Sequence, residues 1–110
     1  MKSEQNKLAH AESLFNQGLE AYQRGQFPAA RDAFAACLSE YEHLVAEGHT
    51  ELRSEVPGTR VNLAICLLNQ GDLKAARGVY ETALGEYEDL VVQQKRTDLR
   101  AKLAINAHEI

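Results

Sequence analysis

Two stretches of this chain repeat each other at an offset of 46 residues. Residues 25–45 read GQFPAARDAFAACLSEYEHLV, and residues 71–91 read GDLKAARGVYETALGEYEDLV. Ten of the 21 positions are identical, among them Gly25/Gly71, Ala30/Ala76, Arg31/Arg77, Leu38/Leu84, Tyr41/Tyr87 and Val45/Val91. Chance would supply about one or two matches over that length. Phe27/Leu73, Phe34/Tyr80 and Cys37/Ala83 agree in kind. A fixed period is the mark of a stacked array, in which each unit packs on the next and extends a surface. It therefore constrains the fold before any single residue does, and it turns expectation from catalysis towards binding.

The spacing of apolar residues is helical throughout, and no sustained alternation suggests a strand. Residues 4–24 place Leu8, Ala11, Phe15, Gly18, Leu19 and Tyr22 on one stripe, with Ser3 as N-cap and Gly25 as the stop. A second helix opens with Pro28 in its first turn and runs to Glu47 before Gly48. The third is interrupted by Pro57-Gly58, which predicts a kink, or a short turn before a new start near Thr59, with Gly71 as the stop. A fourth, 73–94, repeats the second. Thr97 with Asp98 predicts the cap of a fifth, in which Leu99, Leu103, Ala107 and Ile110 share a face and dock on the fourth. Thr97-Asp98-Leu99-Arg100 echoes Thr50-Glu51-Leu52-Arg53 at an offset of 47, so this fifth helix reads as the opening of a third repeat.

A helix, a glycine turn and a second helix with small–aromatic–small spacing resemble the tetratricopeptide repeat. The first unit offers Leu14, Gly18, Ala30, Phe34 and Cys37; the second offers Leu63, Ala64, Ala76, Tyr80 and Ala83. The chain departs from the common pattern in a period about 12 residues longer than the usual 34. It also has Glu42 and Glu88 where a closing proline is usual, and Gln17 before the glycine. The longer unit looks like the arrays of bacterial multidomain proteins. The resemblance implies an all-α, right-handed superhelical stack of antiparallel helix pairs forming one domain over residues 1–110. Its first repeat spans about 4–47, its second about 50–94, and a partial repeat or capping helix covers 97–110.

In such arrays the first helix of each unit lines a concave groove. By position that groove takes Glu12, Phe15, Asn16, Leu19, Tyr22 and Gln23 from the first unit. The second gives Val61, Asn62, Ile65, Leu68 and Asn69, and the third gives Ile105 and His108. The family's basic clamp for a terminal carboxylate would fall on Phe15, Leu19, Asn62, Ile105 and Glu109; only the asparagine fits, so an acidic C-terminus is not the expected ligand. The implied function is non-catalytic binding of a partner's peptide or helix along an apolar groove. The alternative is a homo-oligomer built through the groove or the open ends of the array. Both compete with a simpler possibility, that Phe15, Leu19, Ile65 and Leu68 are core residues.

Composition narrows the remaining classes. The net charge is −4, and Lys95-Arg96 is the densest basic spot, too little to track a phosphate backbone. No apolar run approaches the roughly 18 residues of a membrane span. The opening MKSEQNKLAH lacks the apolar stretch of a signal peptide. Cys37 and Cys66 lie in helical patterns and read as buried thiols of a reducing cytoplasm. His10, His43, His49 and His108 form no HxxxH or HExxH pair, so neither metal nor cofactor is expected. Glu40-Tyr41-Glu42 and Glu86-Tyr87-Glu88 do not converge their acids, because helix positions i and i+2 point apart, and their tyrosines read as core. No nucleophile–base pair or phosphate loop is present, and an enzyme is not expected.

Overall fold

The computed structural model describes the backbone of residues 2–109 and the side chains of residues 4–97. Within them the fold is all-α. Helix α1 spans Lys2–Gln23, α2 Phe27–Ala46, α3 Glu55–Asn69 and α4 Leu73–Glu109, with a 3-10 turn at Thr50–Leu52 between α2 and α3. Consecutive helices pack as neighbours, α1 on α2, α2 on α3 and α3 on α4.

The first three helices end in the same way. Gly25, Gly48 and Gly71 have φ of 74°, 110° and 84°, a left-handed backbone that glycine adopts without steric cost. At each, two backbone bonds close the helix end: Gly25 N–H donates to Tyr22 and Gln26 N–H to Ala21, at 3.0 and 2.8 Å. Gly48 with His49 and Gly71 with Asp72 repeat this arrangement. The three stops stand 23 residues apart, half the period of the repeat, and the next place in the series, 94, is glutamine.

That replacement accounts for the largest departure from expectation. The predicted fifth helix does not exist as a separate element, because α4 continues without a break from Leu73 to Glu109. Thr97 is not a cap. Its Oγ1 donates to the Gln93 carbonyl at 3.0 Å, the i to i−4 contact of a helix interior. Leu99, Leu103 and Ala107 belong to α4 itself rather than to a separate helix docked on it; their side chains, and Ile110 altogether, lie outside the described residues. Ser3 likewise falls inside α1 rather than capping it. Helix α3 begins at Glu55, earlier than Thr59, and Pro57 sits in its first turn, where the backbone N–H has no intrahelical acceptor and its absence costs nothing. The 3-10 turn at Thr50–Leu52 is the short turn expected before that start.

The core lies between the first three helices. Ala11, Cys37, Leu38, Tyr41, Leu44 and Val56 are buried together, with Leu8, Leu14, Phe15, Leu52 and Leu63 packed around them. Ala30, Phe34 and Cys66 form a second buried cluster. Phe34 is the reason for Gly18. A Cβ on Gly18 would stand 2.7 Å from the Phe34 ring, so only glycine admits the ring against α1. Phe15 meets the same ring edge-on at 5.6 Å. Further along, Ala76 and Ala83 are buried on α4.

Two glycine substitutions with opposite signs check this packing. Gly18→Ala gains about 1 kcal/mol of helix propensity but overpacks a ring, which costs about 1–3 kcal/mol, so a net loss of up to about 2 kcal/mol is expected in denaturant unfolding. Gly78→Ala, in open space on α4, gains the propensity alone and should stabilise by about 1 kcal/mol. Equal effects at the two sites would contradict the Gly18–Phe34 contact.

Candidate functional site

The repeat places equivalent side chains on α2 and α4, but the two helices have different neighbours. On α2, Phe34, Leu38 and Tyr41 are buried, with exposures of 1%, 7% and 5%. Their counterparts Tyr80, Leu84 and Tyr87 on α4 are 47%, 43% and 39% exposed. Helix α3 packs over the α2 set. On α4 only α3 stands beside the corresponding set, with the Tyr87 hydroxyl close to Gly58, and among the described residues no second helix covers it.

The uncovered face opens into an apolar cavity of about 440 Å³ between α3 and α4, lined by Val61, Ala64, Ile65, Leu68, Leu73, Ala76, Arg77 and Tyr80. Ile65, Leu68 and Leu73 are exposed on its rim. Beyond it Leu84, Tyr87 and Val91 continue the stripe at spacings of four, three and four from Tyr80, so they follow one side of α4. Asp72 fixes where that helix begins: its Oδ1 accepts the Ala75 backbone N–H at 3.2 Å.

Of the groove residues read from sequence, Val61, Ile65 and Leu68 line this cavity. Asn62 is half-buried nearby on α3, and Asn69 is exposed with its amide donating to the Ile65 carbonyl at 2.9 Å. The α1 residues lie elsewhere and line no part of the cavity. Glu12, Asn16 and Gln23 are exposed, Phe15 packs on Phe34, and Leu19 and Tyr22 are each 37% exposed. Tyr22 meets Phe27 edge-on at 5.5 Å. Ile105, His108 and Glu109 fall beyond the described side chains. The residues that sequence reasoning left out of the groove are Leu73, Ala76, Arg77 and Tyr80. Ala76 and Tyr80 match Ala30 and Phe34 in the repeat, but only Ala76 is buried as its counterpart is. The missing stop at residue 94 was the signal that Tyr80 would lack a cover.

A second hollow, of about 320 Å³, lies between α2, α3 and α4, where Val45, Ala46, Val56 and Leu90 line it together with Glu42, Arg53, Glu86 and Asp89. Arg60 clips it together. Its Nε donates to Glu86 at 2.7 Å and an Nη to Glu42 at 2.9 Å, with only 19% of the arginine side chain exposed. The two acidic triplets thus contribute one carboxylate each to a shared cation rather than a catalytic pair. Tyr87, read from sequence as core, is instead part of the open stripe, whereas Tyr41 is buried.

Both cysteines are free and buried. Cys37 Sγ donates to the Ala11 carbonyl at 3.3 Å. Burial pushes its thiol from 9 up to about 11, with a smaller push from Glu55 and Glu40 and an opposing effect of Thr59. Burial also raises Cys66. Neither is a thiolate at neutral pH, and the thiolate is the nucleophile. Among the described residues no three His, Cys, Asp or Glu side chains converge as a metal site, and no helix is long and apolar enough to cross a membrane.

Neither the protein-family models, nor the curated proteins, nor the solved structures compared with this chain gave a match.

The buried ionisable groups predict an alkaline limit. Burial also raises Tyr41 from 10 to about 12. Because the folded values of Cys37 and Tyr41 lie above the unfolded ones, their contribution is fully present below about pH 9. It is lost as pH rises through about 11 for Cys37 and about 12 for Tyr41. Stability measured by denaturant should decline from about pH 9 upward, and Cys37→Ala should flatten the decline between about 9 and 11. A slope unchanged in that variant would show that Cys37 is not the group responsible.

Proposed function

We propose that this chain is a tetratricopeptide-like array of two long units in a right-handed stack. Its role is non-catalytic binding of a partner protein through the apolar face of α3 and α4. The observation that carries the reading is the uncovered stripe itself. Ile65, Leu68, Leu73, Tyr80, Leu84, Tyr87 and Val91 are all more than a third exposed in one chain. Contiguous apolar surface beyond a few hundred Å² marks contact sites in soluble proteins. The covered equivalents on α2 support an amphipathic helix as the occupant, lying along the face as α3 lies along α2. The internal repeat and the succession of helix pairs support the array. The two thiols, buried and protonated, support a role without chemistry.

Leu68→Asp tests the reading, since Leu68 is 54% exposed and its replacement leaves the core intact. The immobilised wild-type protein should retain a partner from an extract of its host, and the variant, with unchanged helicity, should lose it. The dissociation constant of that partner should rise at least about tenfold, or about 1.4 kcal/mol. Equal retention by both proteins would defeat the groove as the binding surface.

A further inference from the structure

We infer, on the binding reading above, that the occupant of the α3/α4 face is an amphipathic helix of another protein that brings a basic residue to Glu88.

The first unit contains the pattern for such a helix. There α3 lies on α2, with Val56 and Leu63 against the cluster that holds Leu38 and Tyr41, and with Leu63 and Cys66 against Ala30 and Phe34. The start of α3 therefore meets the later part of α2, and the two helices run antiparallel. Beside this apolar seam an Nη of Arg60 donates to Glu42 at 2.9 Å. Val56, Arg60, Leu63 and Cys66 stand at i, i+4, i+7 and i+10, which is one face of a helix.

The surface that α3 meets on α2 recurs on α4 after 46 residues, as Ala30/Ala76, Phe34/Tyr80, Leu38/Leu84, Tyr41/Tyr87 and Glu42/Glu88. The acid is repeated with the seam, but its cation is not. Glu88 is exposed, and among the described residues it has no hydrogen bond or ion pair. Its neighbours three and four positions away, Leu84, Gly85, Val91 and Val92, include no base that could reach it along α4. A lone carboxylate at the edge of an open apolar stripe complements a base on the helix that covers the stripe, as Glu42 complements Arg60.

The two seams differ in depth. Phe15, Tyr22 and Phe27 of the first unit become Val61, Leu68 and Leu73 in the second, all smaller. These three line the 440 Å³ cavity beside Ala76 and Tyr80. A residue larger than Cys66 therefore fits at i+10. The occupant runs antiparallel to α4 and carries large apolar residues at i, i+7 and i+10, with Arg or Lys at i+4. Helix α3 is already seated on α2, with Val56 and Cys66 buried, so the occupant comes from a partner.

The probe is a synthetic peptide of residues 50–70 carrying Cys66→Leu, titrated with the full chain and followed by fluorescence anisotropy. Saturable binding is expected. Arg60→Glu in the peptide should weaken it at least about tenfold, the scale of one charge-assisted contact. Glu88→Arg in the protein should weaken the first peptide to a similar degree and restore the Arg60→Glu peptide. Absence of saturable binding up to millimolar protein, or binding indifferent to Glu88→Arg, would overturn the proposal. Sedimentation showing a dimer that Leu68→Asp makes monomeric would assign the face to a second copy and overturn it too. A host protein lost with Leu68→Asp but retained fully by Glu88→Arg would overturn the basic helix and leave the binding reading standing. Retention that ignores Leu68→Asp would remove both.

Discussion

Where each helix is allowed to stop governs the rest of this structure. Helices in a stack must turn back after roughly equal lengths, or their apolar faces cannot meet. Here the turn is made by one device, a glycine in the left-handed region that lets two backbone bonds cap the last turn. Used at Gly25, Gly48 and Gly71, it yields four consecutive antiparallel segments. At residue 94 a side chain other than glycine would have to enter that region, which is sterically disfavoured for any ordinary L-residue. Nothing else nearby breaks the helix, and the segment QQKRTDLRAK is rich in good helix formers. The chain goes straight on, and the second unit loses the cover that the first unit has.

The consequences for packing follow directly. With α3 laid over α2, large side chains meet on three sides: Phe34 against the bare backbone of Gly18, Leu38 and Tyr41 against Val56 and its neighbours. The fully buried part of the α3/α4 contact consists of small side chains, Ala64, Ala76 and Ala83, which let helices approach closely but remove little apolar area from water. Arg60 compensates in part. By bridging Glu42 and Glu86 it ties α2 to α4 across the edge of α3. Because the arginine is mostly shielded while both carboxylates remain partly exposed, the bridge avoids the full desolvation cost of a buried ion pair.

Most of the helical layout was legible in the sequence because its signals are local. The glycine stops, the proline in the first turn of α2 and the apolar spacing of α1, α2 and α4 each act within one or two turns. Two errors have a common origin. Thr97-Asp98 has the composition of a cap, yet a cap motif competes with the helix only after something has interrupted it. Pro57 predicts a kink or a new start near Thr59 because a proline inside a helix is costly, whereas it is tolerated in the first turn of a helix that starts at Glu55. The α3/α4 cavity draws only part of its lining from positions that the repeat singles out. Val61, Ile65 and Leu68 could be placed by their position in the repeat. Tyr80 could not be told from Phe34 by residue type, since exposure is a property of what lies above a side chain.

That last distinction bears on what the protein is for. The same pattern of side chains is core in one unit and surface in the next, with Phe34 at 1% and Tyr80 at 47% exposure. The substitutions between units run in the direction such a surface needs. Phe27 becomes Leu73 and Phe34 becomes Tyr80, which adds a hydroxyl to a side chain that is now half in water. Cys37 becomes Ala83, which narrows the approach of α3 to α4 where no large side chain fills the gap. A face adapted only to water would not keep Leu68, Leu73, Leu84 and Val91. An amphipathic surface of this kind matches the proposed contact with another helix, an apolar seam with a polar margin.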